Sequence, residues 1–169
     1  MLSFIPVKAS FFDEVAQVSF KTIEGKQKKF GVGIVKLLLV VACALIDKDR
    51  RILIAQRPEG KGMAGLWEFP GGKIEAGERP EETMIRELKE ELGIDVKEPC
   101  LAPLTFASFP YPDFHLFMPL YVCRRWDGFV TAHEHQALKW VKANELRNYP
   151  MPPADEPLIP ALIDLLGVA

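Results

Sequence analysis

Apolar and polar positions fall in blocks along the chain, and the blocks predict strands first. Residues 37–46 form an almost unbroken run of Leu, Val, Ala and Ile, and residues 51–57 carry a second run, ILIA. Aliphatic runs of this length read as buried strands, and the DKDR between them reads as a hairpin turn. PEGKGMAG (58–65) is a loop, and LWEFPGG follows as a short strand broken by Pro70, Gly71 and Gly72. The period then changes to that of a helix. Pro80 suits a first turn, Met84, Ile85, Leu88 and Leu92 form one apolar stripe, and Gly93 stops the run.

Residues 101–109 and 115–124 read as two further strands around the turn PYPD, with Pro119 placing the second at a sheet edge or a bulge. Residues 137–141 read as another strand, 144–146 as a brief helical turn, and 158–166 as a closing helix after MPPADEP. Residues 1–35 lack a clean period, and EGKQKKFG within them is polar and linker-like. They are set apart as an N-terminal extension, poorly ordered or lying upstream of the natural start, with one domain over 36–169. Strands outnumber helices without alternating with them, which gives an α+β fold.

Composition narrows the function. The 169 residues carry a net charge of −2, so no global basic field exists to gather polymeric nucleic acid. A small anionic substrate needs a local solution instead. Cys43, Cys100 and Cys123 are an odd number without a CxxC pair, which predicts reduced core thiols and a cytoplasmic protein. GIVKLLLVVAC (33–43) follows three lysines like an export signal. However, about thirty residues precede it, more than a signal peptide allows, and it is too short for a bilayer. It reads as a strand, so no membrane association is expected.

The chemistry concentrates in RELKEELGI (86–94), with three glutamates within five positions. Glu87, Glu90 and Glu91 stand at i, i+3 and i+4, on one helix face, where like charges repel. They are either solvated or face something strongly positive. Three hard oxygen ligands suit Mg²⁺ or Mn²⁺. The glycine pair before the helix lets the loop bend and offer a backbone carbonyl, and Glu78 is placed to brace Arg86. His133 and His135 flank Glu134, but without a third nitrogen or sulfur ligand nearby they read as exposed loop residues rather than a zinc site.

The stretch Gly72–Ile94 resembles the Nudix box, G-x(5)-E-x(7)-R-E-U-x-E-E-x-G-U with U aliphatic, through Gly72, Glu78, Arg86, Glu87, Leu88, Glu90, Glu91, Gly93 and Ile94. AQRPEG, GLWEFPGGKIE, AHEHQALKW and PPADEPLI extend the likeness to the MutT-like branch over about residues 37–166. The resemblance implies a Nudix α-β-α sandwich with a mixed sheet between helices. It also implies Mg²⁺-dependent hydrolysis of 8-oxo-dGTP to the monophosphate and pyrophosphate, which keeps oxidised bases out of DNA. Glu87, Glu90, Glu91, Glu134 and the Gly71 carbonyl would bind metal. Arg86 would serve catalysis, and either Glu87 or Glu134 would be the general base. Arg57, Glu68, Lys73 and Asp155 are the implied substrate contacts, with a nucleoside triphosphate as partner and a monomer or homodimer as the assembly.

Reading 8-oxoguanine requires an acceptor for N7–H, because oxidation turns that nitrogen into a donor. Asp155 stands where the best-known MutT members carry Asn. An ionised aspartate only accepts, and cannot donate to O6 unless protonated. It would suit the N4 amine of cytosine equally well, so a CTP or broad-specificity pyrophosphohydrolase is the alternative. Capping the closing helix is the structural alternative for Asp155. Phe109 or Phe114 is placed to stack on a base or to fill core. A non-catalytic nucleotide-binding Nudix domain is the alternative of another class, although such domains lack the full glutamate set.

Overall fold

The computed structural model describes residues 36–134 and 137–167. The extension expected over 1–35 and the residue His135 lie outside them. In chain order the elements are β1 (Leu37–Leu45), β2 (Ile52–Gln56), β3 (Trp67–Glu68), β4 (Gly71–Lys73), α1 (Pro80–Leu92), β5 (Leu101–Pro110), β6 (His115–Cys123), β7 (Ala137–Val141) and α2 (Ile159–Leu166). Single 3₁₀ segments at Glu98–Cys100, Ala143–Asn148 and Glu156–Leu158 connect them.

Two sheets result, ordered β4-β1-β6-β5 and β3-β2-β7. The first is mixed, because β1 runs parallel to β6 while the other pairs are antiparallel. β1 alternates strictly between two cores. Val41, Cys43 and Leu45 pack with Met84, Leu88 and Leu92 of α1. Ala42, Ala44 and Ile46 pack with Leu158, Leu162 and Leu166 at the other face. This is why its sequence shows no polar alternation: a strand covered on both faces reads as a continuous apolar run. The expected sandwich is therefore present.

Three local expectations need correction. The hairpin between residues 46 and 51 does turn tightly, with the Asp47 carboxylate accepting from the Asp49 and Arg51 amides at 2.9 and 2.8 Å and Arg50 at φ 61°. Beyond the single Ile46–Ile52 bridge, however, β1 and β2 part into different sheets. Pro119 lies in β6, an interior strand, rather than at an edge. The β1–β6 register runs through Leu39–Phe117 and resumes only at Ala42–Leu120, so the missing proline N–H falls in a lapse of the ladder. The neighbouring irregularity is in β5, between Pro103 and Thr105. Finally, the closing helix starts at Ile159 after the 3₁₀ segment, and Asp155 makes no side-chain capping hydrogen bond.

α1 follows the sequence closely. Pro80 occupies the first turn, and the Glu82 carboxylate accepts from the Arg79 amide at 2.9 Å. Gly93 takes φ 71°, and its N–H closes on the Lys89 carbonyl at 3.0 Å, the left-handed stop that glycine provides at least cost. Cys43 and Cys123 are buried, Cys100 is half-buried, and all three are free thiols. Burial pushes the Cys43 and Cys123 thiols up, which keeps them protonated and inert. No helix among the described residues is long and apolar enough to cross a membrane.

Candidate active site

The acidic face of α1 sits above β4, and the two glycines make that approach possible. Gly71 pairs with Ala42 and Gly72 with Val41. A Cβ on Gly71 would overlap the Val41 carbonyl, and one on Gly72 would overlap the Glu87 carboxylate. The Gly71 N–H donates to Glu91 Oε2 at 3.0 Å. Gly71 thus reaches the acidic cluster through its amide. Glu91 is buried at 8% exposure, the Glu87 side chain is 15% exposed and that of Glu90 is 52% exposed. The three glutamates share a face but not an environment.

Arg86 supplies the positive partner for this face. Its Nε and Nη2 grip the two oxygens of Glu78 at 2.8 and 3.0 Å, which is the predicted brace between loop and helix. Its Nη1 donates to Glu87 Oε1 at 2.8 Å and to Glu90 Oε2 at 3.1 Å. Glu78 also accepts from the buried Thr83 hydroxyl at 2.7 Å. The Arg86 hydrogen bonds, then that of Thr83, pull the Glu78 carboxyl down to about 2. Glu87 moves the other way, because burial raises it, Arg86 opposes the shift, and Glu91 and Glu90 add to it.

A second loop closes over the same helix end. The last carbonyls of any helix lack intrahelical donors. Here the Thr131 N–H takes that of Leu92 at 3.0 Å and the His133 N–H that of Glu91 at 2.9 Å. This anchorage carries Glu134 to the mouth of a cavity of about 520 Å³, a volume suited to a small molecule. Glu87, Glu91, Glu134, Gly71, Lys73, Arg57, Glu68 and Asp155 all line it. Arg86 and Glu90 are outside that lining; Arg86 meets it through Glu87, and Glu90 bonds Arg86. Leu38 and Val40 of β1 and Leu116 and Met118 of β6 form its apolar side.

In the same lining, the Arg57 guanidinium bonds Glu68 through Nη1 and the Gly62 carbonyl through Nε at 2.7 Å. Asp155 lies beside this pair at 5% exposure. Burial first, then the Glu68 charge, push its carboxyl up to about 8, against the Phe69 N–H and Arg57, which favour ionisation. Phe114 lines the cavity and stacks on Tyr111, with centroids 4.8 Å apart, whereas Phe109 packs against the core. Tyr111 and Lys61 also line the cavity and escaped the sequence reading. A lysine between glycines carries no sequence signal beyond solubility. His133 is an exposed loop residue, as expected.

Among the described residues, no three Asp, Glu, His or Cys side chains are gathered into a ready-made metal cluster. The acidic side chains in the cavity lining nevertheless offer hard carboxylate oxygens. The missing Cβ of Gly72 makes the room that the Glu87 carboxylate occupies against β4, and the set fits a divalent cation in kind.

A helix bearing this acidic face, braced by Glu78–Arg86 and packed on a mixed sheet, matches the NUDIX domain over residues 41–161, and the chain belongs to that family. It is a MutT-like Nudix hydrolase, an enzyme acting on acid anhydrides. It is 40% identical over 140 residues to the CTP pyrophosphohydrolase of Escherichia coli K12, spanning 77% of this chain and 94% of that one. It is 35% identical over 127 residues to the 8-oxo-dGTP diphosphatase of the same strain, spanning 75% and 97%. Among solved structures, the E. coli ORF135 protein superposes with a TM-score of 0.69 at 37% identity, covering 79% of this chain and 94% of that one. A MutT from the pair Aliivibrio salmonicida and Vibrio cholerae superposes with a TM-score of 0.65 at 37% identity, covering 77% and 99%.

Proposed function

We propose that the protein hydrolyses 8-oxo-dGTP and related oxidised nucleoside triphosphates to the monophosphate and pyrophosphate. The base would lie at Asp155 and the phosphates under the acidic face of α1. The observation that carries this reading is the burial of the Asp155 carboxyl in the cavity lining beside Glu68, which favours its protonated form. A neutral carboxyl donates from one oxygen and accepts at the other. That pair complements O6 and N7–H of 8-oxoguanine, whereas guanine presents two acceptors at O6 and N7. The mismatch leaves buried polar groups unpaired, which is the costly case.

Glu87, Glu90, Glu91 and Glu134 would hold Mg²⁺, or Mn²⁺ in its place, which when bound polarises phosphoryl oxygens and acidifies water. Glu87 or Glu134 then accepts the proton of the attacking water, and both line the cavity. Lys73, also in the lining, offsets phosphate charge. Arg86 holds Glu87 in place through its 2.8 Å contact.

Cytosine supports a second reading. Its N3 acceptor and N4 amine meet a neutral carboxyl in the same side-by-side manner, and a relative at 40% identity is a CTP pyrophosphohydrolase. A kcat/KM panel of 8-oxo-dGTP, dGTP, CTP and 5-hydroxy-CTP with Mg²⁺ decides between them. We expect 8-oxo-dGTP to exceed dGTP by at least about tenfold, a modest demand on a matched polar site. A preference for the cytidine nucleotides would replace the first reading with the second.

Asp155→Asn tests the neutral carboxyl itself. Asn keeps a donor beside an acceptor at every pH, so the variant retains the nucleotide preference near neutrality. Above pH 8 the wild type ionises Asp155 and loses the donor, so its kcat/KM should fall relative to the variant. Stability has the same sign. The folded carboxyl binds its proton more tightly than the unfolded one, so from about pH 4 to about pH 8 it stays protonated in the core while the unfolded chain ionises it, and the wild type loses stability as pH rises. The melting temperature of Asp155→Asn should therefore gain on the wild type across that window. A pH-independent difference would show that Asp155 is not titrating there.

A further inference from the structure

We infer that Lys61 is a polyphosphate-binding residue of this enzyme, kept in place by Glu134 until substrate enters. This rests on the nucleoside triphosphate reading above. Lys61 Nζ lies 3.2 Å from Glu134 Oε2, a contact that joins two loops across the cavity both residues line.

Each loop is anchored, so the two side chains meet from fixed bases. On the Lys61 side, the Gly62 carbonyl accepts from Arg57 Nε at 2.7 Å and the Gly65 carbonyl from Gln56 Nε2 at 3.0 Å. The Gly65 N–H returns to the Arg57 carbonyl at 3.0 Å. On the other side, Thr131 and His133 pin the Glu134 loop to the end of α1. What remains free is two long side chains, 56% and 49% exposed. An exposed pair of this kind contributes about 0–1 kcal/mol, so it exchanges partners at little cost.

The charges of the cavity say what the exchange is for. The lining contains the cations Arg57, Lys61 and Lys73. Arg57 is committed to Glu68 and to the Gly62 carbonyl. That leaves two lysines to meet a triphosphate in a cavity that also holds Glu87, Glu91 and Glu134. When Glu134 turns toward a cation carried with the substrate, Lys61 is released at the mouth, within reach of a phosphate oxygen. An ammonium–phosphate hydrogen bond is charge-assisted and stronger than the surface pair it replaces.

The test is a double-mutant cycle read by calorimetric binding. Inorganic tripolyphosphate is titrated in the absence of metal into wild type, Glu134→Gln, Lys61→Ala and the double variant. Glu134→Gln should bind it several-fold more tightly than wild type, and the gain should vanish in the double variant. With Mg²⁺ and α,β-imido analogues of dGTP and CTP, Lys61→Ala should weaken binding about tenfold and leave nucleoside monophosphate affinity unchanged. Lys61→Arg should restore most of the loss. A Glu134→Gln gain that persists without Lys61, or equal analogue affinity in wild type and Lys61→Ala, overturns the assignment of Lys61 alone. Wild type that binds neither analogue overturns the nucleotide reading and this inference with it.

Discussion

Glu90→Gln is expected to lower kcat by at least about a hundredfold, because even outer partners of a metal site cost 10–100-fold when changed. Its melting temperature should stay within a few degrees of wild type. The asymmetry follows from where the side chain sits. Glu90 is about half exposed, and its carboxylate accepts from Arg86 Nη1 at 3.1 Å. Arg86 keeps its two-pronged hold on Glu78 and its contact with Glu87 when Glu90 is neutralised. Surface changes of that kind shift stability by about half a kcal/mol or less. The chemistry loses a full negative charge from the face that would hold a cation. Steady-state kinetics over a Mg²⁺ titration, beside a thermal melt, separate the two effects. Turnover equal to that of wild type at saturating Mg²⁺ would mean that the acidic face is decoration.

The second large effect separates two adjacent glycines. Gly71→Ala should cost about 2–3 kcal/mol of stability, the upper range for overpacking, since the new methyl meets the Val41 carbonyl and the Ala42 Cα, both backbone. Relief would require β4 to leave β1. Gly72→Ala meets only the carboxylate end of Glu87, which can swing aside, so its stability should change by less than about 1 kcal/mol. The displaced carboxylate is one of the proposed ligands, so activity should fall by at least about tenfold. Chemical denaturation and kcat/KM on both variants check the pattern. A fully active Gly72→Ala enzyme would show that Glu87 does not need the position it holds beside β4.

The helix and the glutamates it gathers were legible because spacing decides which side chains share a face of α1. The Glu78–Arg86 brace, the Gly93 stop and the placing of Glu87 and Glu91 at the cavity all follow from that periodicity. The parting of β1 and β2 into two sheets was not legible, since two apolar runs around a turn look the same whether they pair or diverge. Sheet membership is decided by what covers each face, here α1 and the α2 segment, which are distant in sequence. Asp155 was legible as a residue of interest but not as a neutral one, because burial beside Glu68 is a property of the folded neighbourhood. Lys61 and Glu134 are 73 residues apart, and nothing local to either announces the other. Arg86 between Glu87 and Glu90 lies in between. Its spacing was visible as a brace for Glu78, but its further contacts with Glu87 and Glu90 were not.

The attachment of the 131–134 segment to the terminal carbonyls of α1 has a consequence for variation in length. The backbone leading to Glu134 takes its bearings from the same rod that carries Glu87 and Glu91, so the three positions move as one. Residues inserted between Arg124 and Val130 would be absorbed before that mooring, and the spacing of the acids would survive them.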